Sequence, residues 1–135
     1  MKSQSGISFV EILAALSIVA VITIAFISGM NGAFKGIEMS QERVAAESLA
    51  KSQVEYIKVQ DFVEVATYNP ADPANRYELI DISSDLVGAG YTVEINPPQI
   101  VISGVQQGFE LQSITVVVKR NGEAKLRMSF YRVDA

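Results

Sequence analysis

GISFVEILAALSIVAVITIAFISGM, residues 6–30, decides how the rest of this 135-residue chain is read. Between Ile7 and Met30 the only charge is Glu11, and the next one is Lys35. Ser8, Ser17, Thr23 and Ser28 are the only neutral polar side chains in that stretch. Coiled as a helix, 24 residues reach about 36 Å, enough to cross a hydrocarbon layer of roughly 30 Å. Serine and threonine cost little there, because their hydroxyls bond back to the preceding turn. A carboxylate at the head of such a helix is costly and needs a physical reason.

Ahead of the apolar run lies a short polar segment, Met1 to Gly6, whose only charged side chain is Lys2. Behind it, the pattern from Ala33 to Lys58 is helical and free of proline. Ala45, Ala46, Leu49, Ala50, Gln53, Tyr56 and Ile57 fall on one side at helical spacing. Glu47, Lys51, Glu55 and Lys58 fall on the other, where opposite charges three and four residues apart support a helix. Gly29, Gly32 and Gly36 each weaken a helix by roughly 1 kcal/mol relative to alanine. They read either as a soft joint at the membrane exit or as ordinary tolerance of glycine on a helix surface. Phe62 to Tyr68 either extends the helix or ends it.

The remainder alternates as strands do. Tyr91–Ile95 is one expected strand, Asn96-Pro97-Pro98 an expected turn, and Gln99–Ser103 the returning strand. Leu111–Arg120 is followed by Asn121-Gly122, a strong hairpin signal, and Glu123–Val133 returns. Leu126, Met128, Phe130 and Arg132 share one face of that last strand, with Arg127, Ser129 and Tyr131 on the other. The expected fold class is α+β: a long N-terminal helix packed against a small antiparallel sheet of about four strands. The divisions are 1–6 as a leader, 7–60 as the helix with 7–30 spanning a membrane, and 61–135 as a globular β domain.

Composition narrows the chemistry. There is no cysteine, which excludes disulfides, thiolate metal sites and thiol nucleophiles, and no histidine, the commonest general base. No glycine-rich phosphate loop and no nucleophile–base arrangement occurs, so no catalytic residue and no cofactor is expected. Asn69, Asp72 and Asn75 in a turn-rich loop offer oxygens to Ca²⁺ but at spacings foreign to an EF-hand. Ordinary turn chemistry is the simpler reading, and no metal is expected. Residues 38–110 hold twelve acids against four bases, whereas 119–132 hold five bases against Glu123. This asymmetry either steers subunits head to tail or is simply two solvated faces. The overall acidity argues against nucleic-acid binding, which needs clustered Lys and Arg.

Glycine followed by an apolar helix whose fifth residue is glutamate resembles the type IV pilin-like and pseudopilin precursors, over about the first 30 residues. The resemblance implies a leader ending at Gly6, cleavage between Gly6 and Ile7 by a prepilin peptidase, and N-methylation of Ile7. It implies a role for Glu11 too: the acid meets the new α-amine of a neighbouring subunit and sets the register of assembly. A charge pair in a low-dielectric setting is strong, and its halves are unfavourable apart. The implied product is a pilus or pseudopilus subunit, held first in the inner or cytoplasmic membrane with its C-terminal domain outside the cytoplasm. Its partners would be the membrane, copies of itself and other pilin-like subunits, the peptidase, and a pilus or secretion assembly platform. Ile7 stands where the family most often has phenylalanine, and Ser28 where many members have a proline. The pattern leaves open a major pilin, a minor pseudopilin of type II secretion, or a competence pilus. Beside it stand a cleaved secretory signal and a plain signal anchor, neither of which accounts for Glu11. A membrane-anchored extracytoplasmic binding module, not assembled into a filament, is the alternative function.

Overall fold

The computed structural model describes Gly6, residues 8–104 and residues 109–134. Its principal element is helix α1, Phe9–Val59, followed by a 3₁₀ turn at Pro73–Asn75 and a short helix α2, Ser84–Gly88. Four strands complete it: β1 Tyr91–Ile95, β2 Gln99–Gly104, β3 Phe109–Arg120 and β4 Glu123–Asp134. The chain divides into two compact units, residues 1–41 and 42–135. The α+β class expected from the sequence is what the structure has.

In the first unit, α1 runs through Gly29, Gly32 and Gly36 without a break in its helical assignment. Ser17 Oγ donates to Leu13 O at 2.8 Å and Thr23 Oγ1 to Val19 O at 2.7 Å, the back-bonding that makes these hydroxyls cheap in an apolar setting.

In the second unit the helix and sheet share one core. Ala46, Leu49, Ala50, Val54 and Ile57 of α1 pack with Tyr91, Val93, Ile114, Val116 and Val118 of the sheet, and with Tyr77. Ala46 and Ala50 are almost fully buried, and their small side chains let the helix lie close to the strands. Tyr56, expected on the buried side, is 36% exposed instead, and Val54 takes a core position. The helix does not extend into Phe62–Tyr68: it stops at Val59, where the Gln60 N–H bonds Ile57 O at 3.2 Å in a tightened last turn.

The sheet departs from the expected pair of hairpins. β4 lines one edge of β3 from Glu110 to Arg120, so β1 and β2 share the opposite edge, end to end. Ile95 stands opposite Val116 and Gln99 opposite Ser113, and both segments run antiparallel to β3. Asn96-Pro97-Pro98 therefore does not turn the chain. The two prolines lack the N–H a ladder needs, yet their fixed φ suits an extended backbone. The ladder breaks and the strand carries on with one extra residue, and a second irregularity follows at Val101. The β3–β4 hairpin forms as expected: Asn121 and Gly122 have φ of 53° and 82°, the left-handed pair of a tight two-residue turn.

Candidate functional site

The residues singled out in the sequence lie at the head of α1. Gly6 is exposed and outside regular structure, and Ile7 lies outside the described residues. Glu11 occupies the first turn. Its backbone N–H donates to Ser8 O at 3.0 Å and to Ser8 Oγ at 3.2 Å, and Ile12 N–H reaches Ser8 O at 3.2 Å. Ser8 is thus the residue that caps the helix, a role the sequence reading passed over although Ser8-Phe9-Val10-Glu11 fits the Ser-x-x-Glu capping pattern. A carboxylate three residues after the cap also faces the positive end of the helix dipole, a favourable placement by about 0.3–1 kcal/mol. Helix start and acid are therefore mutually consistent before any partner arrives.

Every described residue from Ser8 to Gln41 is exposed. Among them are Phe9, Val10, Ile12, Leu13, Leu16, Ile18, Val19, Val21, Ile22, Ile24, Phe26 and Ile27. They surround the helix on all sides, and the helix is long and apolar enough to cross a membrane. Covering a side chain of this kind is worth about 1.5–3 kcal/mol, so leaving the segment in water is unfavourable.

The second unit is held by polar clamps that periodicity does not reveal. Gln53, fully buried, donates from Nε2 to Glu78 O at 2.9 Å and accepts from Ile80 N–H at 2.9 Å. Its amide acts as a strand edge for the extended segment 78–80. Gln60 accepts from Glu78 N–H at 2.7 Å. On β3, Gln112 donates to Val63 O at 3.0 Å and accepts from the Tyr77 hydroxyl at 3.3 Å, while Glu110 accepts from Val65 N–H at 3.0 Å. Arg132 donates to Ile57 O at 2.7 Å and to Gln60 O, with its guanidinium 5.4 Å from the Tyr77 ring centre and 5.6 Å from that of Phe62.

The Asn69 and Asp72 oxygens considered for calcium are engaged within the loop itself, and Asn75 takes part there through its amide N–H. Asp72 accepts from Ala74 N–H and from the Asn75 amide, and Asn69 accepts from Ala71 N–H. The Ala74 N–H holds the Asp72 carboxyl below its ordinary pKa, with help from Asn75. The bonds favour the ionised form, so their contribution is present at neutral pH and is lost as pH falls through that lowered value. Among the described residues no group of three or more acids is arranged to hold a metal. An open cleft of about 510 Å³ lies beside the loop, lined by Tyr68, Pro70, Arg76, Glu78 and Glu94 among others. Arg76 is tied to Pro70 O at 3.0 Å across it.

The basic hairpin is largely neutralised within its own unit. Lys119 pairs with Glu94 at 2.7 Å, Arg120 with Glu42 at 3.7 Å, and Lys125 with Glu42 at 3.4 Å and Glu123 at 3.3 Å. Arg132 is turned to backbone carbonyls, which leaves Arg127 as the basic residue of this hairpin without an ion pair among the described residues. Comparison of the chain with protein-family models, with curated proteins and with solved structures finds no match.

Proposed function

We propose that this chain is a pilin-like structural subunit, made as a precursor, cut between Gly6 and Ile7, and assembled through α1 into a pilus or pseudopilus. The observation that carries the reading is the combination at the head of α1: glycine, a capped helix start, one acid at the fifth position after the glycine, and then a helix apolar on every side. A tether alone needs the apolar length but not the acid. An acid that must find a positive partner suits a helix that packs against copies of itself, because a mis-staggered neighbour leaves the charge unpaired in a low-dielectric setting. The amine at Ile7, created by cleavage, is that partner. The α+β unit carried beyond residue 42 is consistent with this reading.

Two measurements test it. The intact mass of the protein from its native host should show loss of Met1–Gly6 and one added methyl group, and Gly6→Leu should abolish the cut. An unprocessed N-terminus would leave the anchored binding module as the better account. Glu11→Ala should insert in the membrane normally yet lower filament yield at least about tenfold, the effect of losing about 1.4 kcal/mol per contact. Filaments in normal amount from that variant would remove the register role.

A further inference from the structure

The two edges of the sheet carry matched chemistry at matched levels. On the face turned away from the helix, Glu94 of β1, Val117 of β3 and Arg127 of β4 form one cross-strand row. Ile102 of β2, Leu111 of β3 and Val133 of β4 form another. One edge thus shows an acid and an aliphatic residue, and the opposite edge shows a base and an aliphatic residue at the same heights. Ile102 and Val133 are 54% and 51% exposed. Arg127 is exposed and makes no ion pair among the described residues, unlike its neighbours Lys119, Arg120 and Lys125. The run from Ile95 to Phe109 contains no charge at all. Sheet edges are usually guarded by charge against pairing, and β2 lacks that guard. β1, β2 and β4 all run antiparallel to β3, so the two edges are parallel to each other.

We propose that a second copy of this chain docks edge to edge, with β4 of one copy lying parallel to β1 and β2 of the next, so that Arg127 meets Glu94 and Val133 meets Ile102. A simple sideways shift achieves this. It keeps the 42–59 helix of both copies on the same face of the continued sheet, turned from each other only by the strand twist. Antiparallel pairing of β2 with a second β2 would instead oppose the two helices and would bring Arg127 no partner, whereas Glu94, already bonded to Lys119, is 52% exposed and can take a second cation. Strand twist of 20–25° per step rotates the second copy by about 60–75°, so the contact favours pairs over long ribbons. Strands of five and six residues give a contact small beside the roughly 1,200–2,000 Å² of stable complexes. It therefore depends on copies held at high local concentration, as on a shared membrane. The inference goes beyond the proposed function, since it rests on the second unit alone and does not require cleavage.

The absence of native cysteine allows a direct test. Full-length Ile102→Cys and Val133→Cys variants, carrying tags of different size, are reconstituted together in phosphatidylcholine–phosphatidylglycerol vesicles and oxidised. Within one copy the two positions are separated by β3, about 9.6 Å across two strand spacings, too far for a disulfide. A disulfide-linked dimer is expected in the mixture and in neither variant alone. Dimers from Ile102→Cys alone would mean pairing of β2 with β2, and no dimer in the mixture would mean the edges do not meet. Either result overturns the proposal. Glu94→Arg added to the Ile102→Cys variant should cut the yield about tenfold, and Arg127→Glu added to the Val133→Cys variant should restore it. Failure of the second charge change to restore the yield would overturn the assigned register.

Discussion

Arg132→Ala is expected to destabilise the 42–135 unit by about 3 kcal/mol, the loss of two bonds from a charged donor at roughly 1.5 kcal/mol or more each. The guanidinium bonds Ile57 O, in the last turn of α1 where it also accepts the Gln60 N–H, and Gln60 O just beyond the helix. A cation at this end also opposes the negative pole of the helix dipole. Its flat face rests against Tyr77, which is 2% exposed, so truncation opens a gap beside a core side chain. For a unit of this size the expected fall in Tm is about 12–24 °C, read from the tyrosine near-ultraviolet circular dichroism of the full chain in detergent micelles. Arg132→Lys should recover less than half, because an ammonium reaches the two carbonyls as a point charge and cannot stack as a plane. A fall below about 3 °C in the alanine variant would show that water replaces the guanidinium at little cost.

Gly90→Ala should cost about 2–3 kcal/mol. Gly90 has φ of +90°, a conformation unfavourable by roughly 1–2 kcal/mol for a residue with a side chain. A Cβ there would also stand 2.1 Å from Asn121 Oδ1 and 3.0 Å from its Cγ. The Asn121 side chain must then rotate away, at a point where Gly90 O already accepts the Asn121 N–H at 2.9 Å and joins the start of β1 to the hairpin tip. Asn121→Gly alone should be nearly neutral, since glycine also adopts the left-handed turn. Combined with Gly90→Ala it should recover the clash and not the backbone cost, about half of the loss. Full recovery in that double-mutant cycle, measured by chemical denaturation, would show that the positive φ contributes nothing.

The strand Tyr91–Ile95 and the Asn121-Gly122 hairpin were legible in the sequence because each rests on short-range chemistry: alternation in the first, left-handed turn residues in the second. The inward set Leu126, Met128, Phe130 and Arg132 follows from the same alternation. The direction of the chain at Asn96-Pro97-Pro98 was not legible, because proline stops a ladder equally well in a turn or in an extended break. What decides between them is the length of β3, whose twelve residues span both β1 and β2. Helix α2 escaped notice at five residues, too short for periodicity to register. The clamps at Gln53, Gln60, Gln112 and Arg132 join residues 18 to 75 positions apart, and only tertiary structure brings their partners within reach. At the head of the chain, Gly6 and Glu11 were conspicuous by chemical contrast, whereas Ser8 was hidden because serine is common in such helices.

The proline break divides one edge of the sheet into two independently fastened pieces. β1 is anchored at its start by the Gly90–Asn121 bond and by core residues Tyr91 and Val93, whereas β2 has Ile100, Val101 and Ile102 about half exposed. Opening β2 need not disturb β1, since no ladder bond is shared through Pro97 and Pro98. The margin along β2 is therefore where the sheet is expected to open first, at part of the free energy of unfolding the whole, with earlier amide exchange in β2 than in β1 as the measurable sign. A margin of this kind can yield to the twist of whatever strand lies beside it without loosening the core that holds the helix.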